Sequence, residues 1–320
     1  MPTTSTLTYQ EPVATGGNRE DLSDKMWDLS PTATPGITAM GKNTSTATSH
    51  DWLTDTLTDS DETTAVEGAD ATAARPASRV RLSNYTNIIE RTAKVSRTQD
   101  RVKKGGGVKG ELSYQVARRI KEMKLSAEKC IYGVSRIKAA GDEDNARVAG
   151  SFDTYITDGW AGPGDGTAPA GNSADVATKG SARNFSEDIL AEALAGLWER
   201  SNGNENVIAI MGRHQRKVFS DFAKTSIDRN ISTDDKKFVA AINVYDGDYH
   251  LVTATPSRQC RADAVYIQDS EYVKLSELDP LQTSDLGKVG DSRRKQVVWE
   301  WTLEVCDPRA HVVIDSLTTA

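Results

Sequence analysis

The stretch RVRLSNYTNIIERTAKVSRTQDRVKK (residues 79–104), then Gly105-Gly106-Gly107, then GELSYQVARRIKEMKLSAEKCIYGVSRIKAA (residues 110–140) decides how this chain is read. In its first part Val80, Leu82, Asn84, Thr86 and Ile88 alternate with Arg81, Ser83, Tyr85 and Asn87, the period-two pattern of a strand. In its last part Leu112, Val116, Ile120, Met123, Ala127, Cys130/Ile131, Val134 and Ile137 recur every three or four residues. That spacing predicts one amphipathic helix from Glu111 to Ala139, stopped by Gly141. Such a helix would run roughly 43 Å, more than a compact domain is wide, and is better suited to be a spine than a packed core element. Gly105, Gly106 and Gly107 read as a hinge between a basic extended arm and that spine.

Working outward, His50 to Leu57 has the character of a short strand, and the segment from Asp59 to Ala74 is acidic and rich in Ala and Thr. Two strands around a long tip predict an extended hairpin, which needs a surface to lie on. Residues 1–49 are rich in Thr, Ser, Gly and Pro, with isolated apolar anchors at Tyr9, Met26, Trp27 and Leu29. This reads as an arm that orders against a partner. Downstream, residues 150–183 are dense in Gly, Ala, Asp and Thr and read as a surface elaboration or flexible excursion.

An α/β pattern follows. Ser186 is placed to cap a helix whose buried face is Ile189, Leu190, Ala193, Leu194, Leu197 and Trp198. Val207 to Met211 is a buried strand, a second helix carries Val218, Phe219 and Phe222, and Asp246-Gly247 turns a hairpin. Strands are expected at Ala264 to Gln268, around Tyr272 to Leu275, at Gln296 to Val305 and at His311 to Ile314. In the third of these Trp299, Trp301, Leu303 and Val305 share one face, and Glu300, Thr302 and Glu304 the other. No internal repeat is present.

Composition adds a constraint. Hydrophobic residues make up 37% of the 320, charged residues 27%, and mean hydropathy is -0.52, so part of the chain must order against other chains or not at all. The net charge of -7 is unevenly placed. Residues 1–78 hold twelve acidic and four basic side chains, net -8, whereas residues 79–110 hold nine basic and two acidic, net +7. The basic block could bind nucleic acid, or acidic and basic segments could attract each other within a subunit or between copies.

Specific chemistry is not indicated. Cys130, Cys260 and Cys306 are far apart without a CxxC, which predicts neither a disulfide framework nor a zinc site. His50, His214, His250 and His311 are scattered and read as structural or surface residues, and no nucleophile motif is present. Lys104 to Glu111 superficially suggests a phosphate loop, but Gly110 is followed by Glu111 and Leu112 rather than by Lys and Ser/Thr. Asp55, Asp59, Asp61 and Glu62 lack the glycine and terminal glutamate of a calcium loop, and Arg213 to Lys217 is a short basic helix face. No catalytic residue, cofactor or metal ligand is assigned. The N-terminus lacks a basic and apolar leader and no run of about 18 apolar residues occurs, which predicts a soluble, non-secreted protein without membrane contact.

The order of parts resembles the major capsid (major head) proteins of tailed bacteriophages with the Hong Kong 97-type fold. The resemblance rests on His50-Asp51-Trp52-Leu53-Thr54-Asp55, Asn84-Tyr85-Thr86-Asn87-Ile88, Val95-Ser96-Arg97-Thr98-Gln99 and Gly110-Glu111-Leu112-Ser113-Tyr114-Gln115. Further on it rests on residues 212–220 (GRHQRKVFS) and 299–305 (WEWTLEV). It implies an α+β fold with an N-terminal arm over 1–49, an extended loop over 50–104 and the spine helix of a peripheral domain over 105–149. The insertion at 150–183, an axial domain over 184–261 and late strands over 262–320 returning mostly to the peripheral domain complete it.

It also implies self-assembly through hexamers and pentamers into an icosahedral head around double-stranded DNA, the DNA being touched weakly and non-specifically. Portal and possibly scaffold or cement proteins would be partners, and assembly would take place in the host bacterial cytoplasm. In such shells the extended loop lies on the neighbouring subunit's peripheral domain. Trp52, Arg79, Arg81, Arg91, Lys94, Arg97 and Arg101 are therefore the expected inter-subunit contacts, with Gly105, Gly106 and Gly107 as the hinge. Some members weld loop to neighbour by a Lys–Asn isopeptide bond; location alone marks Lys94, Lys103 and Lys104, and a non-covalent shell is expected. A nucleic-acid-binding protein using residues 79–110 is the competing reading.

Overall fold

The computed structural model describes residues 30–57, 66–68, 70, 79–102, 108, 110–201, 204–226 and 243–319. Gly105, Gly106 and Gly107, the arm before Ser30 and most of the acidic hairpin tip lie outside these residues.

The chain enters through a short helix α1 (Pro35–Ala39) and strand β1 (Gly41–Thr44). The expected hairpin is β2 (Ser49–Thr54) antiparallel to β3 (Val80–Tyr85), in a register that sets Trp52 opposite Leu82. After Thr86 the chain continues as β4 (Asn87–Ser96), but the break changes its phase. Leu82 and Asn84 are buried on β3, whereas Asn87, Ala93 and Val95 are buried on β4, so Ile88 points to solvent. The single alternating strand expected from Val80 to Ile88 is therefore two strands facing different layers.

A short turn of helix α2 (Arg97–Arg101), capped by Ser96, precedes the spine helix α3 (Glu111–Glu128). At 18 residues α3 is about 27 Å long, shorter than the periodicity predicts. It passes into one π-helical turn at Lys129–Gly133 and stops. Tertiary partners end it: the Tyr132 carbonyl accepts from Arg261 N, the Arg136 carbonyl accepts from Ser151 N, and Arg136 N donates to Ser151 Oγ. A Cβ on Gly133 would stand 2.4 Å from the Gln259 carbonyl oxygen, so the chain there needs glycine to pass. Val134 and Ile137, the last two members of the predicted stripe, are each 47% exposed on extended backbone.

The first sheet has the order β1-β10-β11-β4, with β10 (Val273–Leu286) and β11 (Ser292–Val305) as its long central pair. Val297, Trp299, Trp301, Leu303 and Val305 of β11 face the core that holds Met123, Ala127, Ile131 and Tyr132 of the spine. The second sheet has the order β5-β12-β9-β6-β8-β7, formed by β5 (Trp160–Ala161), β6 (Asn206–Met211), β7 (Val244–Asp246), β8 (Leu251–Pro256), β9 (Val265–Gln268) and β12 (His311–Ile314). One of its faces packs Val207, Ala209, Val252, Val265 and Ile314 against α4 (Glu187–Arg200) and α5 (Arg213–Ser226). Its other face gives Ile210, Tyr266 and Val313 to the spine core, so this sheet is shared by both cores. The late strands thus divide: β10 and β11 join the first sheet, β9 and β12 the second.

Two local expectations are corrected. Ser186 does cap α4, its hydroxyl accepting from Ile189 N at 3.3 Å, but Trp198 is 58% exposed. It sits one residue, or about 100° of helix, past the buried Leu197, and rests against the Tyr249 ring at 5.2 Å. Residues 150–183 are no flexible excursion. Ser151, Phe152, Tyr155 and Ile156 are fully buried, and β5 pairs with β12. The tight 3₁₀ turn at Phe152–Tyr155 gives no helical or strand period, so an aromatic core segment reads as loop. Arg261, buried beside Asp153, Asp263 and Asp315, pins this segment to β9 and β12. Burial opposes its charge, but Asp263 and Asp315 outweigh that and raise its pKa.

The entering arm is tied to the spine by one buried carboxylate. Glu128 accepts from Gly36 N at 3.0 Å, Ile37 N at 2.9 Å and Ser257 Oγ at 3.0 Å. Gly36 lies so close that a Cβ would meet Tyr132 Cε2 at 2.2 Å. Glu128→Ala leaves these buried donors without an acceptor and should cost about 3 kcal/mol in urea unfolding, with protease cutting between residues 30 and 40 first. An unchanged midpoint would show that the arm is held elsewhere.

Candidate functional site

β11 is covered on both faces. Its odd residues face the spine core; its even residues Thr302 and Glu304, which alternation puts on the opposite face, are 0% and 6% exposed because the base of the β2–β3 hairpin lies on them. A polar strand pair on a polar face requires that buried groups find partners, and Asn84, Thr302 and Glu304 do. Asn84 Nδ2 donates to Leu303 O at 2.8 Å and its Oδ1 accepts from Gly150 N at 2.9 Å. Thr302 Oγ1 donates to Tyr85 O at 2.9 Å, and Thr86 Oγ1 to Glu300 Oε1 at 2.6 Å. Glu300 also receives Arg147 at 2.5 Å.

Glu304 is the centre of this face. Its Oε2 accepts from Asn43 Nδ2 at 2.8 Å and Ser276 Oγ at 2.7 Å and lies 3.1 Å from His50 Nε2. One carboxylate therefore joins β1, β2, β10 and β11. Burial alone would raise its pKa; the bonds from His50, Asn43 and Ser276 outweigh it and bring the pKa from 4.5 to about 2.

The expected contact residues fall into three groups. Trp52 is engaged within its own chain: Nε1 donates to Val305 O at 2.8 Å, and its ring packs beside His50 and Tyr155. Arg79, Arg81 and Arg97 are exposed but face Asp55, Asp51 and Asp291 respectively, at 3.3 Å for the first and 2.7 Å for the last. Arg91, Lys94 and Arg101 are exposed on β4 and α2 and form no ion pair among the described residues. Sequence reading found these basic residues by their charge. Asn84 and Glu304 lie within motifs singled out in the sequence, but their roles as buried bridges were missed, as were Lys138 and Asn172; His50, the partner of Glu304, stands 254 positions away.

Other chemistry is muted. His311 is buried, accepts at Nδ1 from Asp269 N, lies 3.2 Å from Tyr272 O through Nε2, and is pushed down to about 4 by burial. Cys130, Cys260 and Cys306 are free thiols. Among the described residues no cluster of His, Cys, Asp or Glu is arranged to hold a metal, and no helix is long and apolar enough to cross a membrane. On α5, Gln215 is buried and donates to Ala262 O and Thr318 O, which leaves Arg213 and Lys217 as the exposed basic positions of that motif.

The described residues form two sheets, a spine helix and a hairpin leaving the edge. The SU10 major capsid protein family matches residues 1–318. The chain belongs to that family. No curated protein matches it. Among solved structures, a chain of the capsid of the native GTA particle is 12% identical, with 98% of this chain and 100% of that one covered at a TM-score of 0.66. The cyanophage A-1(L) capsid asymmetric unit is 12% identical over 94% and 97% at 0.69, and Gordonia phage Cozz 12% over 100% and 98% at 0.58. At such identities the likeness is one of fold. The fold is the mixed α and β architecture of phage capsids, and this major capsid protein is a structural, shell-forming component of the virion and not an enzyme.

The Glu304 network gives a pH test. A depressed acid contributes stability that is complete above its unfolded pKa, near 4.5, and is lost as pH falls from there toward 2. Thermal unfolding of the subunit should show that loss, and Glu304→Gln should flatten it, a difference of up to about 3 kcal/mol. Parallel pH profiles for the two proteins would refute the assignment.

Proposed function

We propose that this major capsid protein builds an icosahedral head through hexamers and pentamers, with the β2–β3 hairpin of each subunit crossing onto the next. In this reading the hairpin is the extended loop, and α3 with the first sheet is the peripheral domain. The second sheet with α4 and α5 is the axial domain.

One observation carries it. Among the described residues the hairpin rests on its own subunit mainly at its base, with one further bond, from Arg309 Nη2 to Asp55 O at 3.3 Å. Leu82 and Asn84 are buried, but Val80, next on the same face, is 55% exposed, Leu53 is 64% exposed and Leu57 is 97% exposed. An isolated two-stranded hairpin with apolar residues in water is marginal, so its outer half requires another surface. Charge supports the choice of surface. Residues 55–78 hold six acidic and one basic side chain, net -5, while β4 and α2 offer Arg91, Lys94 and Arg101. In a closed shell such contacts recur in every subunit, which lets weak pairs add up.

Partners beyond further copies of the chain follow from the same role: a portal, a scaffold or cement protein, and packaged double-stranded DNA. The nucleic-acid-binding alternative has less support, because Arg79, Arg81 and Arg97 are matched by aspartates of the same chain.

The test is a triple charge reversal, Arg91→Glu, Lys94→Glu and Arg101→Glu. Subunit stability should stay within about 0.5 kcal/mol, since all three are surface positions. The concentration needed for assembly, read by sedimentation and negative-stain microscopy, should rise at least about tenfold, as three exposed pairs together contribute about 1.4 kcal/mol. Acid-to-Lys changes at Asp59, Asp61 and Glu62 should partly restore it. Wild-type assembly by the triple variant would remove the proposed contact.

A further inference from the structure

The hairpin leaves its subunit at Ser83, and the groups around that residue are unusually ordered. Ser83 stands opposite Asp51 in the β2–β3 ladder, yet its own backbone bonds run the other way, to side chains. Ser83 N donates to Asn172 Oδ1 at 2.9 Å. Ser83 O accepts from Lys138 Nζ at 2.8 Å and from Tyr155 OH at 3.0 Å, and Lys138 Nζ also donates to Ser83 Oγ at 2.7 Å. The open edge of a two-stranded ribbon is thus closed at one residue by side chains standing where a third strand would be.

Those side chains are held to each other. Lys138 Nζ donates to Asn172 Oδ1 at 2.9 Å, and Lys138 N to Ser173 Oγ at 2.9 Å. Gly171, Asn172 and Ser173 are consecutive residues with φ of 85°, 48° and 53°. Two adjacent non-glycine residues in the left-handed region persist only where the surroundings fix them. Here the conformation aims the Asn172 amide and the Ser173 hydroxyl at the same lysine, while Ser173 is held from behind by Thr154. Lys138 belongs to the extended segment that follows the spine, so the cluster links hairpin, spine and the buried 150–183 segment at one point.

We propose that Lys138 and Asn172 are positioning residues that set the angle at which the hairpin leaves its subunit, and so where it meets the next copy. The inference rests on the hairpin crossing between subunits as argued above. It places control of that angle at the base of β3.

The test uses the full-length subunit and particles assembled from it. Lys138→Met keeps side-chain length without donors. Asn172→Gly removes the acceptor while easing the left-handed backbone, and Asn172→Asp keeps the acceptor. In hydrogen exchange on the unassembled subunit, the Ser83 amide should exchange at least about tenfold faster in the first two variants and at the wild-type rate in Asn172→Asp, with the melting temperature unchanged. Particles reconstructed from Lys138→Met and Asn172→Gly should show displaced hairpins or malformed shells, and those from Asn172→Asp wild-type ones. Unchanged Ser83 exchange in both disruptive variants overturns the proposal. So does faster exchange with hairpins at the wild-type angle, a result that leaves the crossing itself intact. Wild-type particles whose hairpins rest on their own subunits would instead overturn the reading of function, and this proposal with it.

Discussion

A carboxylate on the back of a central strand governs this subunit. Glu304 lies on the face of β11 that an ordinary half-buried sheet would give to water, and it is buried because Asn43, His50 and Ser276 surround it. A buried charge is tolerated only where its lone pairs are matched, so β1, the hairpin and β10 must all be in place together. The arm and the hairpin are in this way not appendages of a finished domain. They form the second cover of its central sheet, and the first sheet is complete only with them.

That arrangement separates the hairpin into two regimes. Its base is fixed by directional polar bonds, of which Asn84 alone makes one to each of Leu303 and Gly150. Its outer described part carries exposed apolar side chains, and its polar bonds, such as Arg79 to Asp55 and Arg309 to Asp55 O, are solvent-exposed. Directional bonds fix an orientation, whereas exposed apolar and ionic groups tolerate small shifts of partner. A rigid root and an adaptable reach suit the proposed crossing of the hairpin onto neighbouring copies.

How much of this the sequence disclosed depends on whether period or partner decided the structure. Leu112 to Ile131 lie on a helix because their spacing makes one, and Trp299 to Val305 face the core because alternation puts them there. Thr302 and Glu304 were legible as sharing a face but not as buried, since periodicity assigns polar residues to solvent and cannot register a polar strand lying over them. The spine's end was hidden for a similar reason: Val134 and Ile137 fit the stripe, but Ser151 and Arg261 claim the backbone there. Phe152 and Tyr155 were lost in a Gly- and Asp-rich background. Of the proposed contact surface, the charge block was plain, and Arg91, Lys94 and Arg101 stand out from it. Lys138 and Asn172 could not be found, because their arrangement depends on a left-handed turn that no residue type announces.

The order of strands in the second sheet bears on how the subunit comes into being. β12, ending at Ile314, lies between β5 and β9, and β5 is contributed some 150 residues earlier. Between them the chain leaves to build β10 and β11 of the other sheet and then returns. The second sheet cannot close on a nascent chain that stops short of β12, nor the first before β11 ends at Val305, and the long sequence separations make closure slow. Folding is therefore a late, single commitment, and a partly made chain lacks the complete surfaces through which it could be drawn into a growing shell.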